Sequence, residues 1–331
     1  MSAHGPGTGR RVHGRPVAFF APEAAMLTDR VWPRYPDSGL ARHGGPMARC
    51  YGLTKENLAA CLSLLPLDGA DVLTVAASGD QLLNALTLGA KHVDTFDHNI
   101  LAAAFQELKV AALCQLSRKQ FLSVFQRPSP SSPRSALTYP VYRILRRRLS
   151  YGARTLLDGA YHWCGCRGYL LRESEVFNNQ HDDTHLSVLR NIYLRSDGHF
   201  ERTRSALMGI APTFFHCTIA CLQPRRFYDV ILLSNIAEYA HRLYSRSHNS
   251  FQVFCQNALM HVVSFCRPGG VIALYVCNLP AATTRDQPRV EVRDPGVRRR
   301  VLRNAGLRFV EFPIDDVGSG RSDTLVVLYR T

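Results

Sequence analysis

The chain has 331 residues, 46% of them hydrophobic and 20% charged, the balance of a globular protein with one large core or two modest ones. No apolar run reaches the length of a bilayer crossing, so a membrane span is not expected. The formal charge of +14 is carried almost wholly by arginine, since Lys55, Lys91, Lys109 and Lys119 are the only lysines. Its densest runs, residues 143–154 and 293–308, fit helices with a solvated basic face. No aromatic pattern interleaves them as a base-stacking platform would require, so a nucleic-acid partner is not expected.

Residues 1–45 are rich in Gly, Pro and Arg and read as a loose N-terminal tail. Their one apolar patch is bracketed by Pro16 and Pro22 and lacks the longer apolar core of a secretory signal, which points to a cytoplasmic protein. Cys114, Cys217, Cys221, Cys255, Cys266 and Cys277 fall in apolar segments, where cysteine behaves as a small hydrophobe. The cluster HWCGC at 162–166 has CxC spacing and no second pair at zinc-site distance, so no metal is expected.

Residues 46–126 read as the first half of an α/β domain. A helix N-capped by Thr54 comes first, then a strand at 72–76, a Ser78-Gly79-Asp80 turn and a helix at 81–88. A second strand at 92–96 leads into a longer helix at 100–116. Residues 126–140 are Pro/Ser-rich and exposed in character, and 127–210 read as a helical insertion, or lid, over one end of the sheet. The α/β pattern resumes over 211–331, with strands in 213–223, 228–236 and 271–278. A basic helix at 295–305 precedes two final strands, 307–314 and 323–330, which suggest an edge hairpin on an otherwise parallel sheet. The fold class expected is therefore α/β and Rossmann-like: the S-adenosylmethionine-dependent methyltransferase type, mostly parallel with an antiparallel C-terminal strand.

The turn after the first strand carries one glycine, whereas a dinucleotide site needs GxGxxG to let backbone approach a pyrophosphate. Asp80 repels phosphate and suits an amine-bearing ligand; S-adenosylmethionine has an amine, a sulfonium and no phosphate. Asp97 ends the second strand eighteen residues past Gly79, where an acid accepts hydrogen bonds from ribose hydroxyls. The segment YDVILLSNIAEY delivers Ser234, Asn235, Glu238 and Tyr239 to the same carboxyl edge. A turn with an N-cap would account for residues 78–80, and helix capping for Asp97 or Asn235, but their joint spacing favours a cofactor site.

The motifs Ser78-Gly79-Asp80-Gln81-Leu82-Leu83-Asn84, Asp97-His98-Asn99 and Glu107-Leu108-Lys109 carry a family resemblance. With RCYGLTKENL upstream and LLSNIAEY downstream, the chain resembles the betaine-lipid-type S-adenosylmethionine:diacylglycerol 3-amino-3-carboxypropyltransferases, in their soluble bacterial branch. The resemblance covers about residues 49–116 and 191–278. It implies S-adenosylmethionine as co-substrate, attack of a nucleophile on the methionine γ-carbon, and release of methylthioadenosine. The cofactor-binding set expected is Tyr51, Ser78, Gly79, Asp80, Asn84, Asp97, Asn99, Ser234 and Asn235. A hydroxyl acceptor needs a general base, and Glu238, Tyr239 and His185 are the candidates, alongside His181, Asp182 and Asp183. The acceptor expected is a diffusible small molecule, led by the phenol of a nocardicin-type β-lactam antibiotic (isonocardicin synthase activity). Methyl transfer, a lipid (diacylglycerol) hydroxyl and an RNA base are the alternatives.

Overall fold

β-Formers followed by helix-period segments close into a single sheet. The structure, a computed structural model, describes residues 50–125, 137–163, 184–240, 249–278, 291–315, 317–318 and 322–330. Its strands are β1 (Asp71–Val75), β2 (His92–Asp97), β3 (Phe214–His216), β4 (Tyr228–Leu232), β5 (Cys266–Val276), β6 (Arg308–Asp315) and β7 (Ser322–Tyr329). They lie in the order β3-β2-β1-β4-β5-β7-β6. The first five pair in parallel, and β7 runs antiparallel to both β5 and β6. This is the Rossmann-like α/β sheet of the S-adenosylmethionine-dependent methyltransferase type, as expected from the order of elements.

Burial decides which strand of the closing hairpin lies inside. Leu325, Val326, Val327 and Leu328 of β7 are all buried, the signature of a strand covered on both faces. β6 has only Ile314 buried, so it takes the edge. β5 starts at Cys266, five residues before the expected 271, because its pairing with β4 slips between Tyr228 and Val230. Gly270 sits in that irregularity, where a Cβ would lie 2.8 Å from the Asp229 carbonyl oxygen and the Cys266 sulfur.

The helices around the first half are α1 (Leu58–Leu62), α2 (Asp80–Thr87), α3 (Ile100–Gln115) and α4 (Arg118–Phe125). The cap of α1 is a correction: Asn57, not Thr54, accepts from the Ala60 N–H at 3.2 Å. Thr54 lies one turn too early for that and donates its backbone N–H to Asp80 instead.

Within the expected helical region lie α5 (Tyr139–Arg146), α6 (Tyr151–Trp163), α7 (Thr184–Arg190) and α8 (Asp197–Gly209). Tyr142, Leu156, Tyr161 and Phe200 from these helices are buried in the same apolar core as Leu83, Leu86, Leu108 and Ala112 of α2 and α3. Polar contacts fix the join. Thr203 and Thr87 share a hydrogen bond of 2.7 Å, and Glu107 accepts from the Ser150 N–H and Oγ–H at 2.7 and 2.8 Å.

The second core packs the opposite side of the sheet. It is built from α9 (Ser250–Phe254), a π turn (Cys255–Leu259), α10 (Met260–Val263) and α11 (Pro295–Asn304). Cys255 and Cys266 are buried there as apolar cysteines would be, but Cys221 is exposed on a short 3-10 turn after β3. Among the described residues, no helix is long and apolar enough to cross a membrane, and no group of three His, Cys, Asp or Glu could hold a metal. His162 is described; Cys164 and Cys166 of the HWCGC cluster, like residues 1–45 and 126–136, lie outside the described residues.

Candidate functional site

β1 has β2 on one side and β4 on the other, so the strand order reverses direction at β1 and a crevice opens at the carboxyl ends. Two loops form its walls. After β1, Ala77 has φ 43° and Gly79 φ 82°; after β4, Ser234 has φ 51°. Ala77 and Ser234 are the two non-glycine residues with positive φ among the described residues, and both stand at this edge. Left-handed backbone costs an L-residue about 1–2 kcal/mol, and such strain concentrates at ligand-binding positions.

Asp97 ends β2 beside the β1 loop. Its Oδ2 accepts from the Ala77 N–H at 3.1 Å and its Oδ1 from the Asn99 N–H at 2.9 Å. Burial pushes the carboxyl above its usual range, against these N–H bonds and the neighbouring His98. The side chain keeps 12% exposure, and His98 Nδ1 lies 3.5 Å from its Oδ1. Asn99, expected in the cofactor set, caps α3 through a 3.0 Å bond from the Leu101 N–H, so the capping role considered for Asp97 falls to Asn99.

The turn residues behave differently from expectation. Asp80 is wholly buried, and four donors converge on it. Lys109 Nζ (2.8 Å) and the Tyr193 hydroxyl (2.6 Å) reach Oδ1, while the Thr54 N–H (2.6 Å) and Ser78 Oγ (2.7 Å) reach Oδ2. Its charge is therefore spent inside the protein, which corrects its assignment as an amine-binding group. Ser78 is corrected with it, being buried with its hydroxyl turned to Asp80. Asn84 is corrected too: its Nδ2 donates to the Asp80 carbonyl and Asn191 Oδ1, and its Oδ1 accepts from the Ile192 N–H. Gly79 keeps its expected place at the N-terminus of α2, and its φ explains the glycine.

Burial lowers the proton affinity of Lys109, while Asp80 offsets this in part; its ammonium also lies 5.5 Å from the Phe105 and Phe125 ring centres. Thus Glu107-Leu108-Lys109 is an anchoring motif. Lys109 holds the β1 turn from below, and Glu107 holds the start of α6.

After β4, Glu238 is buried. Its Oε1 accepts from the Cys277 N–H at 2.6 Å, and its Oε2 pairs with the Arg293 guanidinium, with Nε at 3.1 Å. This engagement corrects its assignment as general base, because both carboxylate oxygens already hold partners inside the protein. Asn235 is half-buried, with Nδ2 4.0 Å from the Cys277 sulfur, and Tyr239 is half-buried on the turn Ile236–Tyr239. Tyr51 is half-buried beside buried Cys50. His185 is exposed in the first turn of α7, beside Leu186, whose side chain approaches Gly318. His181, Asp182 and Asp183 lie outside the described residues.

Glu56 was not singled out from the sequence. It is buried where the two loops meet, accepting from Ser234 Oγ–H on Oε1 and from Gln81 Nε2 at 3.3 Å on Oε2. Burial pushes its carboxyl up to about 7, assisted by the charge of Glu238 and opposed by bonds from Ser234, Gln81 and the Asn235 backbone. An acid inside TKENL resembles any solvated helix start, so only the tertiary contact marks it.

No family model and no curated protein matches this chain. Solved structures do resemble it. The glycopeptide N-methyltransferase MtfA complexed with S-adenosyl-L-homocysteine is 12% identical over 96% of this chain and 100% of its own, with a TM-score of 0.43. A 1,6-didemethyltoxoflavin-N1-methyltransferase from Burkholderia thailandensis is 13% identical over 93% and 88%, TM-score 0.39. The N-methyltransferase NodS from Bradyrhizobium japonicum WM9 is 11% identical over 83% and 92%, TM-score 0.37. At these scores the likenesses say nothing of this chain's reaction, and the fold rests on its own strand order.

Proposed function

We propose that this chain is an S-adenosylmethionine-dependent transferase that moves the 3-amino-3-carboxypropyl group to a phenol or alcohol hydroxyl, releasing methylthioadenosine. The observation that carries this reading is Asp97. Its carboxylate stands at the end of β2, tied to the Ala77 N–H and still partly exposed, where an acid accepts from ribose hydroxyls. The single-glycine turn supports a ligand without a pyrophosphate. The motif resemblance supports the aminocarboxypropyl group over the methyl group.

S-adenosylmethionine supplies a carbon activated by the adjoining sulfonium. The residues of this chain then have three tasks: to bind the nucleoside, to orient the acceptor and to keep water out. Asp97 holds the ribose, and the backbone of residues 77–79 lines the crevice. With Glu238 paired to Arg293, Tyr239 and His185 are the side chains proposed to receive the acceptor's proton. A small-molecule phenol, as in a nocardicin-type antibiotic, is the proposed acceptor. A cytoplasmic location belongs to the same reading.

The test is incubation of the protein with S-adenosylmethionine and candidate phenols, followed by mass spectrometry of the nucleoside product. Methylthioadenosine is the expected product. S-adenosylhomocysteine would show methyl transfer instead, and an unchanged nucleoside with every acceptor would count against the transferase reading.

A further inference from the structure

Asp80 was the residue whose charge best suited a ligand amine, and the structure spends that charge on Lys109 and Tyr193. An unassigned acidic position stands across the same crevice. Glu56 lies between the β1 and β4 loops, and Gln81 on α2 reaches it. Gln81 is 2% exposed and its Oε1 has no hydrogen-bond partner among the described residues. Its Nε2 faces Glu56 Oε2 and Ser234 Oγ, at 3.3 and 3.4 Å. With Glu56 ionised, the reverse amide orientation would set Oε1 against the carboxylate, so the orphan atom beside the charged form is the carbonyl oxygen. A buried carbonyl without a donor costs about 1–3 kcal/mol. Nature seldom leaves such an atom, and the usual remedy is a ligand or water that donates.

The charge balance points the same way. The ionisable groups facing Glu56 are Glu238, Cys61 and Cys277, all neutral or negative, while Glu238 already has Arg293. The pair therefore offers a carboxylate and a carbonyl oxygen to something that must bring both hydrogens and positive charge. Three N–H donors on a tetrahedral cation match this, whereas a hydroxyl would bring no charge. The neighbouring left-handed Ser234 fixes one Glu56 oxygen through its hydroxyl, leaving the other oxygen turned to the Gln81 side.

We infer that Glu56 and the Gln81 carbonyl oxygen form a receptor for a primary ammonium group. Resting on the transferase reading above, that group is the α-ammonium of the aminocarboxypropyl moiety. Glu56 is then a binding residue, placed to orient the moiety.

Calorimetric titration with two nucleosides tests this. S-adenosylmethionine carries the ammonium, and methylthioadenosine has the same adenosine without it. Glu56→Gln is expected to weaken S-adenosylmethionine by about tenfold or more, the worth of one charged hydrogen bond, and to leave methylthioadenosine within about twofold. Retained methylthioadenosine binding also shows that the variant is folded. Wild-type binding of S-adenosylmethionine at pH 6.5 is expected to release protons, and that release disappears in Glu56→Gln. Should that variant not fold, Gln81→Met, which removes the carbonyl acceptor together with the Nε2 donor to Glu56 and Ser234, is expected to weaken S-adenosylmethionine selectively. Equal effects on the two nucleosides, or none on either, would overturn the receptor while leaving the transferase reading in place. A wild-type protein that binds neither nucleoside overturns both.

Discussion

Lys109 Nζ lies 2.8 Å from Asp80 Oδ1 with both side chains fully buried, so the turn after β1 is held from beneath by an ion pair. Tyr193, from the short turn after α7, donates to the same oxygen, which ties the helical insertion to the site loop. A buried pair of this kind is costly to break, because the surviving charge has no water to return to. Lys109→Met is expected to destabilise the fold by about 3–5 kcal/mol, read as a lower urea midpoint. The double variant Asp80→Leu/Lys109→Met is expected to recover part of that loss, since no lone charge remains.

Asp97 is expected to matter for binding more than for folding. Asp97→Ala leaves the Ala77 and Asn99 N–H groups to water at a partly exposed site, for about 1 kcal/mol of stability. Nucleoside affinity in calorimetry should fall by about a hundredfold, as two ribose hydrogen bonds to a charged acceptor are lost. Unchanged affinity would remove the ribose assignment.

Glu107 makes stability depend on pH. Burial pushes its carboxyl up to about 7, against the bonds from Ser150 and the charge of Arg154. The unfolded value is near 4.3, so between the two the folded state holds more protons. The favourable contribution is complete below about pH 4 and is lost as pH rises through about 7. Glu56 acts with the same sign. Glu107→Gln, which keeps an acceptor for Ser150, should flatten the decline in Tm between pH 5 and 8 and leave the protein more stable at pH 8.

Ala77 tests the strain in the β1 loop. At φ 43°, a β-branched side chain is a severe outlier, while glycine is at ease. Ala77→Val should destabilise by about 1–2 kcal/mol, and Ala77→Gly should change the urea midpoint little, because relief of strain offsets its greater unfolded-state entropy.

The order of strands and helices was legible because each element carries its own local signal. Asp71–Val75 and His92–Asp97 are runs of β-formers, and Asp80–Thr87 and Ile100–Gln115 follow with helical character. The turn glycine at position 79 and the acid at the end of β2 were also readable, since spacing along the chain places them at or just past the ends of neighbouring strands. The insertion of β7 between β5 and β6 was not, because both strands are equally β-forming and only burial on two faces ranks them.

Which acid is free is a question of partners, and the partners come from far along the chain. Asp80 receives Lys109 from 29 residues away and Tyr193 from 113. Glu238 meets Arg293 across 55 residues, and Glu56 meets Ser234 across 178. The chain's own pattern determined a mostly parallel α/β sheet with a polar crevice at its carboxyl edge, because local periodicity and turn chemistry are short-range properties. Tertiary structure alone decided that Asp80 is an anchor, that Glu238 is paired and that Glu56 stands beside a carbonyl without a partner among the described residues. Burial and long-range pairing set the charge and availability of a carboxylate, and neither is written in its neighbours along the chain.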